Sequence, residues 1–200
     1  MSELTELYDQ ILSCTRCGLA QGRTRAVPGE GPENARVMFI GEAPGFHEDK
    51  SGKPFVGAAG RFLEELLADI GMTRDDVYIA NVIKCRPPGN RAPIPREIEA
   101  CKPYLDRQIE LIQPRMVITL GRFSMARYFP GAKISSIHGR PKKIDGRLYY
   151  PMYHPAAALH QPSLRPTVVE DMKKIPQLIA EIDQIEESNR PEDAEQLSLF

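Results

Sequence analysis

Four cysteines stand in two pairs, Cys14-x2-Cys17 and Cys85-x15-Cys101. Four thiolates suit either zinc or an iron–sulfur cluster. Zinc ribbons usually repeat a short Cys-x2-Cys knuckle; here the second pair is wide and brackets a proline-rich loop, Arg86 to Pro95, which favours a cluster. Two other readings remain: a redox dithiol at Cys14 and Cys17, with no thioredoxin-like unit after it, and unrelated cysteines buried as small hydrophobes. The first twenty residues carry acids and no signal-peptide pattern, and no apolar run approaches the roughly 18 residues of a membrane helix. A reducing, cytoplasmic location is therefore expected, with thiols serving as ligands and not as disulfides.

The remaining chemistry must be held by ordered elements. Apolar β-branched runs at Val37–Ile40, Val77–Val82, Met116–Leu120 and Leu148–Tyr153 alternate with helical spacing at Glu3–Leu12, Ala58–Ile70, Arg96–Ile112, Arg122–Phe129 and Val168–Ile185. This is the rhythm of an α/β parallel sheet, in which ligands bind beyond the carboxyl ends of the strands. Those ends read Gly41-Glu42-Ala43-Pro44-Gly45, Asn81 to Cys85, Gly121-Arg122 and His154-Pro155. The first is no dinucleotide fingerprint, since Gly-x-Gly-x-x-Gly is absent, and Gly52-Lys53 precedes Pro54 where a P-loop needs Ser or Thr.

Charge divides along the chain. Residues 166–200 hold three basic and nine acidic residues, leaving 23 basic against 18 acidic in residues 1–165. A basic body of net +5 suits a polyanion without requiring one.

Taken in order, GEAPGFHED (41–49), GKPFVGAAGRFL (52–63), NVIKCRPPGNRAP (81–93) and HPAAAL (154–159), together with the cysteines, closely resemble the family 4 uracil-DNA glycosylases. The resemblance spans residue 5 to about residue 180. It implies a three-layer α/β/α sandwich around a four-stranded parallel sheet, a four-iron, four-sulfur (4Fe-4S) cluster on Cys14, Cys17, Cys85 and Cys101, and excision of uracil from single- and double-stranded DNA. The glycosylase domain would occupy residues 1–185 and act as a monomer, leaving an abasic site in base excision repair.

The same resemblance assigns roles. Phe55 matches the aromatic that stacks on the extruded base, and Asn81 offers the donor and acceptor that the uracil edge needs and cytosine would mismatch. His154 matches the donor to O2 of the departing uracil, where negative charge develops. Glu42 would orient water or stabilise the cationic sugar, or else hold its own loop, while Glu48 and Asp49 read as loop-shaping. Gly41 and Ala43 would bring backbone close to the base. Leu159 is the wedge by resemblance, and Arg86, Gly89, Asn90, Arg91, Arg165 and Lys84 are the expected phosphate contacts. His47, His138 and His160 read as ordinary histidines, although His160 could touch DNA. Relatives that bond covalently to DNA do so through a histidine inserted after the second motif; residues 82–100 contain none, so hydrolytic turnover is expected. A competing reading is a non-catalytic adaptor with structural zinc.

Residues 186–200 read as a flexible acidic tail whose end, Gln196-Leu197-Ser198-Leu199-Phe200, resembles the peptide that binds bacterial sliding clamps. Gln196 would anchor one subsite while Leu197, Leu199 and Phe200 fill an apolar pocket.

Overall fold

The computed structural model describes residues 2–188; the clamp-like peptide Gln196–Phe200 and most of the acidic tail lie outside them. The helices are α1 (Glu3–Leu12), α2 (Leu19–Gly22), α3 (Phe46–Ser51), α4 (Ala58–Asp69), α5 (Pro95–Ile112), α6 (Arg122–Ala126), α7 (Ile134–Ile137), α8 (Pro155–His160), α9 (Arg165–Lys173) and α10 (Ile175–Ser188). The strands are β1 (Val37–Gly41), β2 (Tyr78–Asn81), β3 (Met116–Leu120), β4 (Lys142–Ile144) and β5 (Arg147–Met152).

The sheet order is β2-β1-β3-β5-β4, with the first four strands parallel. Buried on both sides over most of their length, these strands are apolar but for Asn81, Thr119 and Arg147, and alternation divides their side chains between two cores. Met38, Ile40, Tyr78, Ala80 and Val117 pack against Leu4, Leu7 and Ile11 of α1 and Tyr104, Leu105 and Ile109 of α5. Val37, Phe39, Ile79, Ile118, Tyr150 and Met152 face Phe62, Leu63, Leu66 and Leu67 of α4 and Val168 and Met172 of α9. The result is the expected three-layer α/β/α sandwich.

Two features depart from the sequence reading. A fifth strand, β4, pairs antiparallel with β5, so the four-stranded sheet gains an edge. Its Lys142-Lys143-Ile144 is too polar and short to read as a strand; the turn at Asp145 (φ 47°) and Gly146 (φ 81°) folds it onto β5. The long C-terminal helix is two, α9 and α10, separated at Lys174, and α10 runs to Ser188. Among the described residues, no helix is long and apolar enough to cross a membrane.

Because β1 has β2 on one side and β3 on the other, the chain reverses its winding there, and the carboxyl ends open into a crevice.

Candidate active site

That crevice is a cavity of about 650 Å³ lined by the 42–48 segment after β1, Phe55, Asn81 at the end of β2, Pro87, Asn90, Arg91, and His154 with Ala156 and His160 of α8. Phe55, Asn81, His154, Glu42 and Ala43, widely separated in sequence, thus meet at one opening. Gly41, the last residue of β1, sits where Phe55 and Asn81 come together. A Cβ there would fall 2.4 Å from Asn81 Oδ1 and 2.7 Å from the Phe55 ring, so only glycine admits both side chains.

Asn81 is 2% exposed, and its Oδ1 accepts no hydrogen bond among the described residues. An unpaired buried acceptor costs roughly 1–3 kcal/mol, a penalty that a ligand N–H at the cavity wall removes. Its backbone is fixed by the segment that follows: Val82 N donates to Gly41 O (3.0 Å) and Ile83 N to Glu42 O (3.2 Å), extending the β1–β2 pairing past the sheet edge.

Phe55 is buried and holds φ at 54°, a left-handed conformation that costs a non-glycine residue of order 1–3 kcal/mol. Two charged side chains grip the backbone around it. Glu48 Oε1 accepts from Val56 N and Gly57 N, both at 2.9 Å, while its Oε2 accepts from Gly45 N. On the other side Arg74 donates to Pro54 O (2.7 Å) and Phe55 O (2.9 Å), and is itself paired with Glu30 and Glu64. Glu48 and Asp49 are loop-shaping as expected, the buried Asp49 accepting from Thr24 N. Arg74 escaped the sequence reading, since an arginine in a short turn carries no signal of what it reaches.

His154 caps α8: its Nδ1 accepts from Ala156 N at 3.1 Å, so in the neutral ring the proton lies on Nε2. Desolvation holds the imidazole pKa down to about 4, against a smaller opposing pull from Glu48. The ring stacks 5.4 Å from Phe55 at 25°. Glu42 has its carboxyl pKa raised by desolvation, opposed by Arg122, which the sequence places at a strand end without linking it to Glu42.

The expected phosphate contacts divide into free and engaged groups. Arg91 makes a two-pronged pair with the buried Glu97, and Arg165 pairs with Glu65 while lying 4.3 Å from the Phe62 ring. Arg86, Gly89 and Asn90 lie on the loop leading from Cys85, and Arg86 Nε donates to Asn90 Oδ1 at 2.6 Å. Leu159 is 41% exposed on α8. Lys84 is a correction: it is 1% exposed, and its Nζ donates inward to Asn81 O (3.0 Å) and Gln108 Oε1 (2.6 Å), out of reach of phosphate. Gln108 Nε2 in turn donates to Pro28 O and Tyr78 OH, and Tyr78 OH meets Tyr8 OH of α1. Sequence gives the charge of Lys84 but not its direction; the apolar Val82 and Ile83 beside it were the available sign of burial.

All four cysteines are free thiols lining one small cavity with Arg16, Arg23, Lys84 and Tyr104. N–H donors point at three of the sulfurs: Arg23 at Cys85 (3.1 Å), Lys84 N at Cys101 (3.2 Å) and Arg16 N at Cys14 (3.5 Å). Burial pushes the Cys101 thiol up to about 11 and raises Cys85, with Lys84 and Arg23 respectively opposing it. Among the described residues, no three His, Cys, Asp or Glu side chains are set close enough to hold a single metal ion.

The chain belongs to the uracil DNA glycosylase superfamily, whose family model matches residues 28–185. Within it the similarity is to type-4 members. The type-4 uracil-DNA glycosylase of Sulfurisphaera tokodaii is 49% identical over 89% of this chain and 86% of its own length. That of Archaeoglobus fulgidus is 46% identical over 89% and 94%, and that of Thermotoga maritima 44% over 86% and 93%. The zinc-adaptor reading finds no support in these relatives, all named as glycosylases.

Proposed function

We propose that this chain is a monofunctional uracil-DNA glycosylase: it extrudes uracil from DNA and hydrolyses the N-glycosidic bond, leaving an abasic site and an intact strand. The observation that carries the reading is the meeting, in one cavity, of a neutral His154 with an Nε2 proton and a buried, unpaired Asn81 Oδ1 beside the Phe55 ring.

Uracil stacks on Phe55, and Asn81 Oδ1 accepts its N3–H. Cytosine lacks that proton at N3, so two acceptors would oppose each other and leave a buried group unsatisfied. As the C1′–N1 bond breaks, its electron pair moves onto uracil and charge accumulates at O2. The His154 Nε2–H donates there, a bond that strengthens as the charge grows. Water adds at C1′, and the proton it loses passes through solvent to the departing uracil anion, giving neutral uracil and the 1′-hydroxyl of the abasic sugar. Glu42, half-buried at the same opening, faces the cationic sugar or orients that water.

A 4Fe-4S cluster on Cys14, Cys17, Cys85 and Cys101 fits the donor set: four thiols about one cavity, with N–H groups directed at the sulfurs. It would supply a covalent tie between the end of α1, the loop after Cys85 and α5. Arg86, Gly89, Asn90 and Leu159 are the proposed contacts with single- or double-stranded DNA, with Arg91 and Arg165 as braces able to add to them. The tail peptide Gln196–Phe200 is proposed to bind a sliding clamp, and the enzyme to act as a monomer in the cytoplasm. Uracil release from a uracil-containing oligonucleotide tests the function; absence of release by protein carrying its cluster refutes it.

A further inference from the structure

Among the described residues, three large apolar side chains are exposed: Leu12, Phe46 and Leu159. Phe46, at 44% exposure, is the one that lines the uracil cavity itself. Lys50 Nζ lies 4.5 Å from its ring centre and the Arg86 guanidinium 5.1 Å, while His47 meets it edge-on at 5.4 Å. Neither cation has a carboxylate partner among the described residues; Arg86 bonds only the neutral Asn90. Arg91 and Arg165, in contrast, are each neutralised by a glutamate.

The ring attracts both cations, but two penalties stay: at 44% exposure part of its apolar surface is hydrated, and neither positive charge is neutralised by a carboxylate among the described residues. One class of ligand relieves both penalties: a nucleotide, whose base covers the ring and whose phosphate pairs with the cations.

We propose that Phe46, with Lys50 and Arg86, forms a subsite for the nucleotide adjoining the extruded uridine. The inference rests on the glycosylase reading above and deepens it. Extrusion strips the adjoining base of one stacking neighbour, and Phe46 supplies a replacement surface. Every base presents a π-face, so the subsite tolerates any sequence. Its contribution is greatest in single-stranded DNA, where the adjoining base has no paired duplex to hold it.

The test compares KM for uracil release from two short single-stranded oligonucleotides: one with thymidines on both sides of uridine, one with abasic analogues there. In the unaltered enzyme the abasic flanks raise KM about ten-fold or more. In Phe46→Ala that ratio falls to about one, because KM for the thymidine-flanked strand rises; Phe46→Trp retains or increases the ratio. The proposal is overturned if Phe46→Ala keeps the unaltered enzyme's ratio, or if Phe46→Ala raises KM equally on both strands, which would make the ring a cover over uracil. Thermal midpoints of the variants establish that they are folded. Failure of the unaltered enzyme to release uracil would instead refute the function, a result distinct from a normal rate with no flank effect.

Discussion

A pH series on the unaltered enzyme and on His154→Ala tests the donor assignment most directly. With its pKa held near 4, the imidazole of His154 is neutral throughout the range from pH 5 to 8 and donates through Nε2. Activity dependent on that neutral ring therefore has no inflection near 6.5 attributable to His154, and declines only as pH approaches 4. Stability follows by linkage. Between 6.5 and about 4 the unfolded chain takes up a proton at this residue and the folded chain does not, so this group makes stability rise with pH in that window. The depression corresponds to at most roughly 3–4 kcal/mol, an upper limit because the ring's open side faces the cavity. His154→Ala removes both effects: single-turnover excision slows by about 10²–10³, and the loss of stability on acidification, followed by urea midpoints, becomes shallower. A rate that climbs as pH falls through 6.5 and loses that climb in His154→Ala would refute the reasoning, because it would make the protonated imidazole the active form.

Arg74→Ala should lower kcat/KM by about ten- to a hundred-fold as the left-handed Phe55 backbone loses its brace. Free guanidinium should restore part of the loss, which steady-state kinetics would show. Cys101→Ser should abolish the visible absorption of the purified protein and lower its thermal midpoint and its affinity for oligonucleotide together; retention of colour with full cluster content would contradict the assignment. Deletion of residues 196–200 should leave uracil release from short oligonucleotides unchanged while abolishing clamp association in a pull-down, and unchanged clamp binding would remove the tail from the proposal.

The layers of the fold were legible because a parallel strand buried on both faces must be apolar nearly throughout, as Val37–Ile40 and, but for Thr119, Met116–Leu120 are. Strand β4 was not, since Lys142 and Lys143 are exposed at an edge and a turn, not burial, holds them. Phe55, Asn81 and His154 could be picked out because motifs mark them, and the structure brings all three to one cavity. Arg74 and Lys84 could not be assigned correctly, because their roles lie in the carbonyls they reach. Lys84 crosses the interior to Asn81 and Gln108, and Arg74 approaches Phe55 from a turn 19 residues away. A one-dimensional pattern encodes charge and period but not the direction of a long side chain.

The run from Asn81 to Cys85 is buried at every position. Its first residue is the proposed reader of the base, its fourth is the buried cation bonded to Asn81 and Gln108, and its last is a proposed cluster ligand. No position in it can drift without disturbing either volume or charge at two sites together. A substitution anywhere in this segment is therefore felt at both the base pocket and the cysteine cavity, whereas residues Pro88 to Arg91 just beyond it are exposed and free of that double constraint.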